Sequence, residues 1–364
     1  MYNMALELLK EIDSSGFTSY IVGGYPRDLY LNRASKDIDI CTNATPKDLK
    51  DIFGDAMLSK VNYGSVTVIK DKIRFEITTF RKEIKYINNR KPIEIEYIND
   101  LEEDLKRRDF TINTLCIDSK GNIIDLLDGK KDIDNKIIKM VGNPKVKLME
   151  DALRILRAIR FAVELDFKID DELKDTIKEY GYLLKNLSYD RKKEELNKIF
   201  NNKNVRYGFD LIKDLNLDKP LELNIENIVP TEAIGIWAQL DVIDKYPFTK
   251  EEKNYINVIN ELKDMDFYDV DTLYMCAKYG FGYLYTICTI KGLDFKEIEK
   301  QYLNLPIKSS NDIDIKQIEI ANLLGRKPDA YLKDIVKDIE YQILHNKLNN
   351  NTKEISEYIL NTYK

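Results

Sequence analysis

Two aspartates sit two residues apart in an apolar run, Asp37-Ile38-Asp39-Ile40. Alternate side chains of an extended strand point the same way, so Asp37 and Asp39 project together. Adjacent carboxylates repel unless a cation lies between them. The hard cation suited to such oxygens is Mg²⁺, which keeps some waters and takes further ligands from substrate phosphates. Upstream, a hydrophobic run reaches Gly23-Gly24 and a short helix-like segment follows. Paired glycines let backbone N–H groups approach a phosphate, and a helix start favours negative charge. A G-G pair alone marks a turn, and a D-x-D alone marks a solvated edge. Here the carboxylates alternate with buried-type residues, and twelve residues separate Gly24 from Asp37, room for one helix and a turn. Metal carboxylates beside a phosphate cradle point to nucleotidyl transfer.

Three further constellations bear on that chemistry. Glu76 lies among apolar residues in R-F-E-I-T-T-F-R, residues 74–81. It is either a third acidic residue beside Asp37 and Asp39 or the partner of an arginine. Arg107, Arg108 and Asp109 follow Glu102-Glu103-Asp104. Arginine pairs bidentately with phosphate, so this pair could clamp a triphosphate; alone it reads as a solvated helix start. Asp151, Arg154, Arg157 and Arg160 recur every third residue in E-D-A-L-R-I-L-R-A-I-R-F. On a helix such neighbours stay in contact. An acceptor–donor pair of Asp151 and Arg154 matches the Watson–Crick edges of cytosine and adenine, which present an amino donor and a ring-nitrogen acceptor. Uracil and guanine reverse both roles, and buried polar mismatches discriminate strongly. The plainer reading is an i,i+3 salt bridge supporting the helix.

The elements that must position these groups are legible in outline. The chain has 364 residues, 43% hydrophobic and 33% charged, enough for two or three domains. Strands are expected at 18–22, 38–41, 64–69, 74–79 and 123–125, in a mixed α/β region of about 140 residues. Thr45-Pro46 is an N-cap and N1 pair for a helix through Phe53. Residues 81–92 are polar without period and read as a mobile loop, followed by an extended run at 93–98. After Pro144 helical periodicity takes over, with Leu148, Ala152, Ile155, Ile159 and Val163 forming one apolar stripe. A boundary is expected near Gly142-Asn143-Pro144 and a softer one near residues 201–204.

Composition excludes some classes. No run of about 18 apolar residues is present, so no transmembrane span is expected. Residues 1–15 read as an amphipathic helix and not as a signal peptide. Cys41, Cys116, Cys276 and Cys288 lack metal-type spacing and are expected to be buried thiols in a reducing cytoplasm. The single histidine, His345, reads as a surface residue, which leaves no His-based metal hydrolase site. The net charge of −6 argues against generic nucleic-acid coating, but residues 129–161 hold nine Lys/Arg against four Asp/Glu. A basic strip in an acidic protein suits one specific polyanion.

Taken in order, G-G-Y-P-R-D-L-Y-L-N-R-x-x-K-D-I-D-I-C-T, R-F-E-I-T-T-F-R, E-E-D-L-K-R-R-D-F-T-I-N-T-L, D-L-L-D-G and E-D-A-L-R-I-L-R-A-I-R-F resemble the motifs of class II tRNA nucleotidyltransferases, the CCA-adding enzymes and their poly(A) polymerase relatives. The resemblance covers Tyr20 to about Leu196. It implies an α/β head of the DNA polymerase β type followed by an all-α neck, body and tail. The corresponding regions are 1–142 for the catalytic head, 143–203 for a nucleotide-selecting neck, and 204–364 for a tRNA-binding body and tail. It implies that Asp37 and Asp39 hold Mg²⁺; Glu76 is counted with them as a candidate catalytic carboxylate from its place on the strand alone. Gly24, Arg27 and Arg108 would contact the nucleotide, Asp151 and Arg154 would read its base, and Arg157 and Arg160 would complete the site. Residues 81–90 would be the flexible loop that switches from C to A addition. The partners implied are tRNA, CTP and ATP, with no nucleic-acid template and no membrane. Two positions depart from the family pattern: Asn88 stands where members often carry Asp, and Asp190-Arg191 where a later motif begins Glu-Arg, with Glu195-Leu196 retained. The segment V-N-Y-G-S-V-T-V, residues 61–68, is closer to the CCA-adding form than to poly(A) polymerases, and the kept loop argues against a CC-only enzyme. An A-only enzyme stays open. A non-enzymatic RNA-binding protein would require loss of a metal carboxylate, and none is lost.

Overall fold

The computed structural model describes the backbone of residues 1–35, 37–62, 64–87 and 91–364, and their side chains apart from 58–62, 83–87, 91–94 and 278. The chain divides into two compact units, Met1–Ile225 and Glu226–Lys364. The sequence boundaries near residues 142 and 203 both fall inside the first.

The first unit is built on a mixed seven-stranded sheet. Its strands are β1 (Ser19–Val22), β2 (Asp39–Thr42), β3 (Met57–Asn62), β4 (Ser65–Lys70) and β5 (Ile73–Thr79), with two short ones from farther along the chain. A separate hairpin comprises β6 (Arg81–Ile87) and β7 (Lys91–Tyr97); the two short strands are β8 (Cys116–Ile117) and β9 (Ile123–Ile124). The sheet order is β3-β4-β5-β2-β1-β8-β9. β2 lies parallel to β5, which sets Asp39 opposite Glu76, and antiparallel to β1, which sets Asp39 opposite Val22. Helix α1 (Tyr2–Ser14) buries Ala5, Leu8, Leu9 and Ile12 against one sheet face with Ile21, Ile40, Val66, Phe75 and Ile77. That amphipathic stripe is what residues 1–15 encode. Cys41 and Cys116 lie on the opposite face with Val22, Phe80 and Leu105.

Helix α2 (Gly24–Tyr30) follows β1 directly. The turn between them needs Gly23, whose φ of +84° disfavours a side chain. Helix α3 (Pro46–Phe53) starts as its sequence dictates: Thr45 and Asp48 form a capping box and Pro46 occupies the first turn. The segment read as a mobile loop is corrected here. Backbone pairing from Arg81↔Tyr97 to Ile87↔Lys91 makes it an antiparallel ribbon, with a register shift near Lys85. A ribbon held by backbone bonds does not require the hydrophobic alternation that marks a sheet strand, so the polar composition concealed it. Asn88 and the rest of 88–90 lie outside the described residues.

Helix α4 (Leu101–Lys106) ends at the arginine pair, with Arg107 as its C-cap; the pair closes a helix instead of opening one. Helix α5 (Gly129–Asp134) leads into a two-residue ladder of β10 (Ile137–Ile138) and β11 (Lys168–Ile169), a small strand after Pro144 that the sequence did not signal. Helices α6 (Pro144–Glu150), α7 (Leu153–Leu165), α8 (Asp171–Tyr180), α9 (Tyr189–Phe200) and α10 (Val205–Asp214) dominate the rest of this unit. Leu148, Ala152, Ile155, Ile159 and Val163 are all fully buried, as their spacing requires.

The second unit is helical throughout its described residues. Its core includes Trp237, Ile259, Ile287, Ile298 and Ile339. His345 is half-buried there: its Nε2 bonds Asp271 at 3.1 Å and its ring lies tilted by 42° against Tyr341. All four cysteines are free and buried. Among the described residues no helix is long and apolar enough to cross a membrane.

Candidate active site

A cavity of about 470 Å³ opens in the first unit. This is a volume suited to a small-molecule ligand. The cavity is lined by Gly23, Gly24, Asp37 and Asp39 together with Arg27, Arg108, Asp151, Arg154, Arg157, Arg160 and Phe161. Nine of the ten residues singled out from the sequence therefore line one space. Glu76 does not line it; it is exposed on β5 beside Asp39.

The acidic side follows the expected alternation. Ile38 and Ile40 are buried while Asp37 and Asp39 are exposed, although the paired strand begins only at Asp39. Among the described residues, the side chains of Asp37, Asp39 and Glu76 make no hydrogen bond and no salt bridge, and no described arginine pairs with Glu76. Desolvation where β2 begins, then Glu76 across the ladder, push the Asp39 carboxyl above its usual range; Arg108 pulls it back and Asp37 adds to the rise.

The basic wall, in contrast, is tied down. Arg27 bonds Asp28 Oδ1 through Nε at 3.0 Å and Asn113 Oδ1 through Nη1 at 2.8 Å. Arg157 Nε reaches Asp109 Oδ2 at 2.7 Å, and Arg160 Nε reaches the buried Glu195 at 2.7 Å. The Phe161 ring carries Arg27, Arg157 and Arg160 at 5.2, 5.4 and 4.0 Å from its centroid and abuts Phe110 edge-on. Aromatic faces attract guanidinium groups. Phe161 thus spaces three arginines on one support, a role the sequence reading missed. The signal was present: Arg157 and Phe161 stand four apart on α7, the spacing of helix-surface partners.

The expected row from Asp151 to Arg160 is broken at its start. Asp151 is outside α7, in an extended conformation with φ −144° and ψ 104°. Its Oδ1 accepts from the N–H of Leu153, the first residue of α7, at 3.0 Å, and Arg191 approaches the same oxygen to 3.7 Å. Arg154 is held elsewhere, by Lys147 O at 2.8 Å, Glu150 Oε2 at 2.9 Å and Arg107 O at 3.2 Å. The i,i+3 salt bridge between Asp151 and Arg154 does not form, because the chain leaves the helix between them. Asp151 Oδ2 has no hydrogen bond among the described residues. Burial pushes the Asp151 carboxyl up, offset by Leu153 N–H and by Arg191, Arg154 and Arg157.

Asp109 shows the opposite balance. Burial alone would raise its carboxyl, but Arg157 at 2.5 Å, Asn113 and the Phe110 N–H hold it at about 2. A depressed carboxyl stabilises the fold above its unfolded value near 3.9 and loses that contribution as pH falls toward 2. The shift is worth on the order of 2 kcal/mol. Urea unfolding between pH 5 and pH 2 should therefore show a steeper acid loss in the wild type than in Asp109→Asn. Equal slopes would show that the pair does not titrate with folding.

Three family models match along the chain. They are the poly A polymerase head domain over residues 19–139, the probable RNA and SrmB-binding site of polymerase A over 166–225, and the putative tRNA nucleotidyltransferase domain 2 over 250–359. The CCA-adding enzyme of Ligilactobacillus salivarius (strain UCC118) is 34% identical, covering 97% of this chain and 95% of the relative. That of Bacillus subtilis (strain 168) is 33% identical, covering 98% and 97%. The Bacillus stearothermophilus CCA-adding enzyme in complex with CTP shares the fold with a TM-score of 0.81 at 23% identity, covering 98% of this chain and 96% of that one. The Thermotoga maritima CCA-adding enzyme complexed with tRNA gives 0.72 at 21%, covering 100% and 95%. The mixed α/β head with its helical continuation is therefore the nucleotidyltransferase architecture of those enzymes. With more than 30% identity across nearly the whole of both chains, this chain belongs to the CCA-adding tRNA nucleotidyltransferase family.

Proposed function

We propose that the cavity between Asp39 and Arg160 is where this CCA-adding enzyme extends the tRNA 3′ end with C, C and A from CTP and ATP, without a nucleic-acid template. The observation that carries this assignment is the contrast within the cavity lining. Two lining carboxylates, Asp37 and Asp39, with Glu76 next to Asp39 on β5, have no side-chain hydrogen bond or salt bridge among the described residues. The lining guanidinium groups of Arg27, Arg157 and Arg160 are held by side-chain bonds. A nucleoside triphosphate with a bound divalent cation complements both sets at once.

The donor set fits Mg²⁺. No three His, Cys, Asp or Glu side chains among the described residues form a self-sufficient metal cage. Two neighbouring carboxylates with open positions are the arrangement that Mg²⁺ completes with water and phosphate oxygens. Held by Asp37 and Asp39, with Glu76 behind Asp39, the ion would supply charge stabilisation for the attacking 3′-oxygen and the departing pyrophosphate. Gly24, Arg27 and Arg108 bind and orient the triphosphate. Arg157 and Arg160, spaced by Phe161, complete the wall. Asp151 offers its unbonded Oδ2 to the amino group of cytosine or adenine, and Arg154, immobilised by three carbonyl and carboxylate oxygens, donates to the ring nitrogen.

In this reading residues 1–142 are the catalytic head, 143–203 the nucleotide-selecting neck, and 204–364 the body and tail that hold tRNA. The four buried thiols suit the reducing cytoplasm. Incubation with labelled CTP and ATP and a tRNA lacking its 3′ end should give a product three nucleotides longer, ending CCA. Arrest after CC, addition of A only to a tRNA already ending in CC, or open-ended A addition would instead identify a CC-adding enzyme, an A-adding enzyme or a poly(A) polymerase.

The β6–β7 hairpin is assigned to the switch from C to A. Adenine is larger than cytosine, so the pocket must readjust after two additions, and a projecting ribbon is a suitable lever. Deletion of residues 83–89 should leave products ending at CC on a sequencing gel. Equal loss of C and A addition would reduce the hairpin to a structural element.

A further inference from the structure

We infer that Asp104 is a positioning residue that joins the root of the β6–β7 hairpin to the arginines of the nucleotide site, so that a nucleotide held at Arg108 is registered in the hairpin. This deepens the assignment of Arg108 to the triphosphate and rests on it. Asp104 sits on α4, outside the cavity lining, and its side chain is 0% exposed. A carboxylate so buried destabilises the fold unless every oxygen is matched. Its partners come from three places. Oδ1 accepts from the backbone N–H of Arg81 at 3.1 Å and from Arg107 Nε at 2.8 Å; Oδ2 accepts from Arg108 Nη2 at 3.3 Å.

Each partner leads to a functional element. Arg81 is the first residue of β6, so its N–H fixes where the hairpin leaves the sheet. Arg107 accepts Arg154 Nη2 on its carbonyl, which places the base-reading arginine one residue away from the same carboxylate. Arg108 lines the cavity, and its Nε is buried without a hydrogen-bond partner, so this guanidinium keeps donor capacity beyond Asp104. The Arg108 contact is also the longest of the three. A phosphate that engages Arg108 competes with Asp104 for the guanidinium charge. Among the described residues, the partners left to the carboxylate are then Arg107 and the Arg81 N–H. Nucleotide occupancy is thereby transmitted to the hairpin root through one side chain.

Two variants separate this role from simple support of the fold. Asp104→Asn keeps an oxygen for Arg81 N–H but removes the charge that balances Arg107 and Arg108. Arg81→Pro removes the N–H together with the Arg81 side chain, at the first position of a strand, where proline is tolerated, and Arg81→Ala, which keeps the N–H and should keep the response, shows what the side chain alone contributes. Hydrogen exchange of the backbone amides of β6 and β7 in the full-length protein, with and without CTP, is read alongside equilibrium dialysis of CTP. In the wild type, CTP should slow exchange in the hairpin. Asp104→Asn should bind CTP about tenfold more weakly and lose the hairpin response. Arg81→Pro should bind CTP within about twofold of wild type and yet lose the response, and it carries the test if Asp104→Asn fails to fold. A CTP response retained in Arg81→Pro, or CTP binding to the wild type with no change in the hairpin, overturns the coupling alone. Failure of the wild type to bind CTP overturns the nucleotide assignment of Arg108 and the coupling with it.

Discussion

Asp37→Ala and Asp39→Ala should each lower single-turnover transfer of both C and A by about a thousandfold or more, with tRNA affinity within about twofold of wild type. The attacking oxygen and the pyrophosphate both gain negative charge in the transition state. Loss of a metal carboxylate removes stabilisation that only the transition state uses, so the rate constant falls and binding does not. A second signature accompanies the loss. Asp39 is desolvated and flanked by Glu76 and Asp37, with Arg108 as the opposing attraction and no side-chain hydrogen bond or salt bridge from the described residues. Its carboxyl is raised on balance, so alanine there removes more penalty than attraction and the melting temperature should hold or rise. Turnover within tenfold of wild type would sink the metal assignment.

Asp151→Ala should collapse the preference for CTP over UTP by more than it lowers the rate with CTP. The substitution removes the acceptor for the cytosine amino group and the carboxylate that repels the uracil O4. Each buried polar complement contributes on the order of 1–3 kcal/mol, so discrimination should fall by roughly 5- to 150-fold. The same substitution deletes the hydrogen bond to Leu153 N–H, a loss of about 1 kcal/mol of stability whatever the role in catalysis. Asp151→Asn separates the two effects. Its amide oxygen can keep that bond while the charge is gone, so stability should be largely retained and selectivity still lost. Measuring kcat/KM for the four nucleotides beside thermal melts decides the matter. An unchanged CTP/UTP ratio in folded Asp151→Ala would end the base-reading role and leave the transferase intact.

The parts of this site legible in the sequence are those fixed by local period. Alternation in Asp37-Ile38-Asp39-Ile40 placed both carboxylates on one side, and Thr45-Pro46 announced α3 because a cap is a matter of adjacent residues. The stripe from Leu148 to Val163 was correct in every member. The failures were matters of tertiary partnership. Arg154 and Asp151 were paired from spacing alone, but Lys147, Glu150 and Arg107 compete for the guanidinium, and a break at Asp151 removes the spacing argument. The hairpin at 81–97 was hidden because its bonds are backbone bonds, to which composition is nearly blind. Asp104 lay in plain view within E-E-D-L, but full burial of one acid among three cannot be told from pattern.

The break at Asp151 also frees a phase. Ile155, Ile159 and Val163 share α7 with Arg154, Arg157 and Arg160, so the arginines inherit their bearing from the buried stripe of their own helix. One residue inserted at the extended joint between Asp151 and Ala152 could be taken up there, with stripe and arginines left in place. One residue inserted inside α7, between Leu156 and Arg157, would instead set Arg157 and Arg160 about 100° out of phase with Arg154. Such a chain would keep its metal carboxylates and lose the common bearing of its arginines, so the register of the wall is kept by the residue count within one helix.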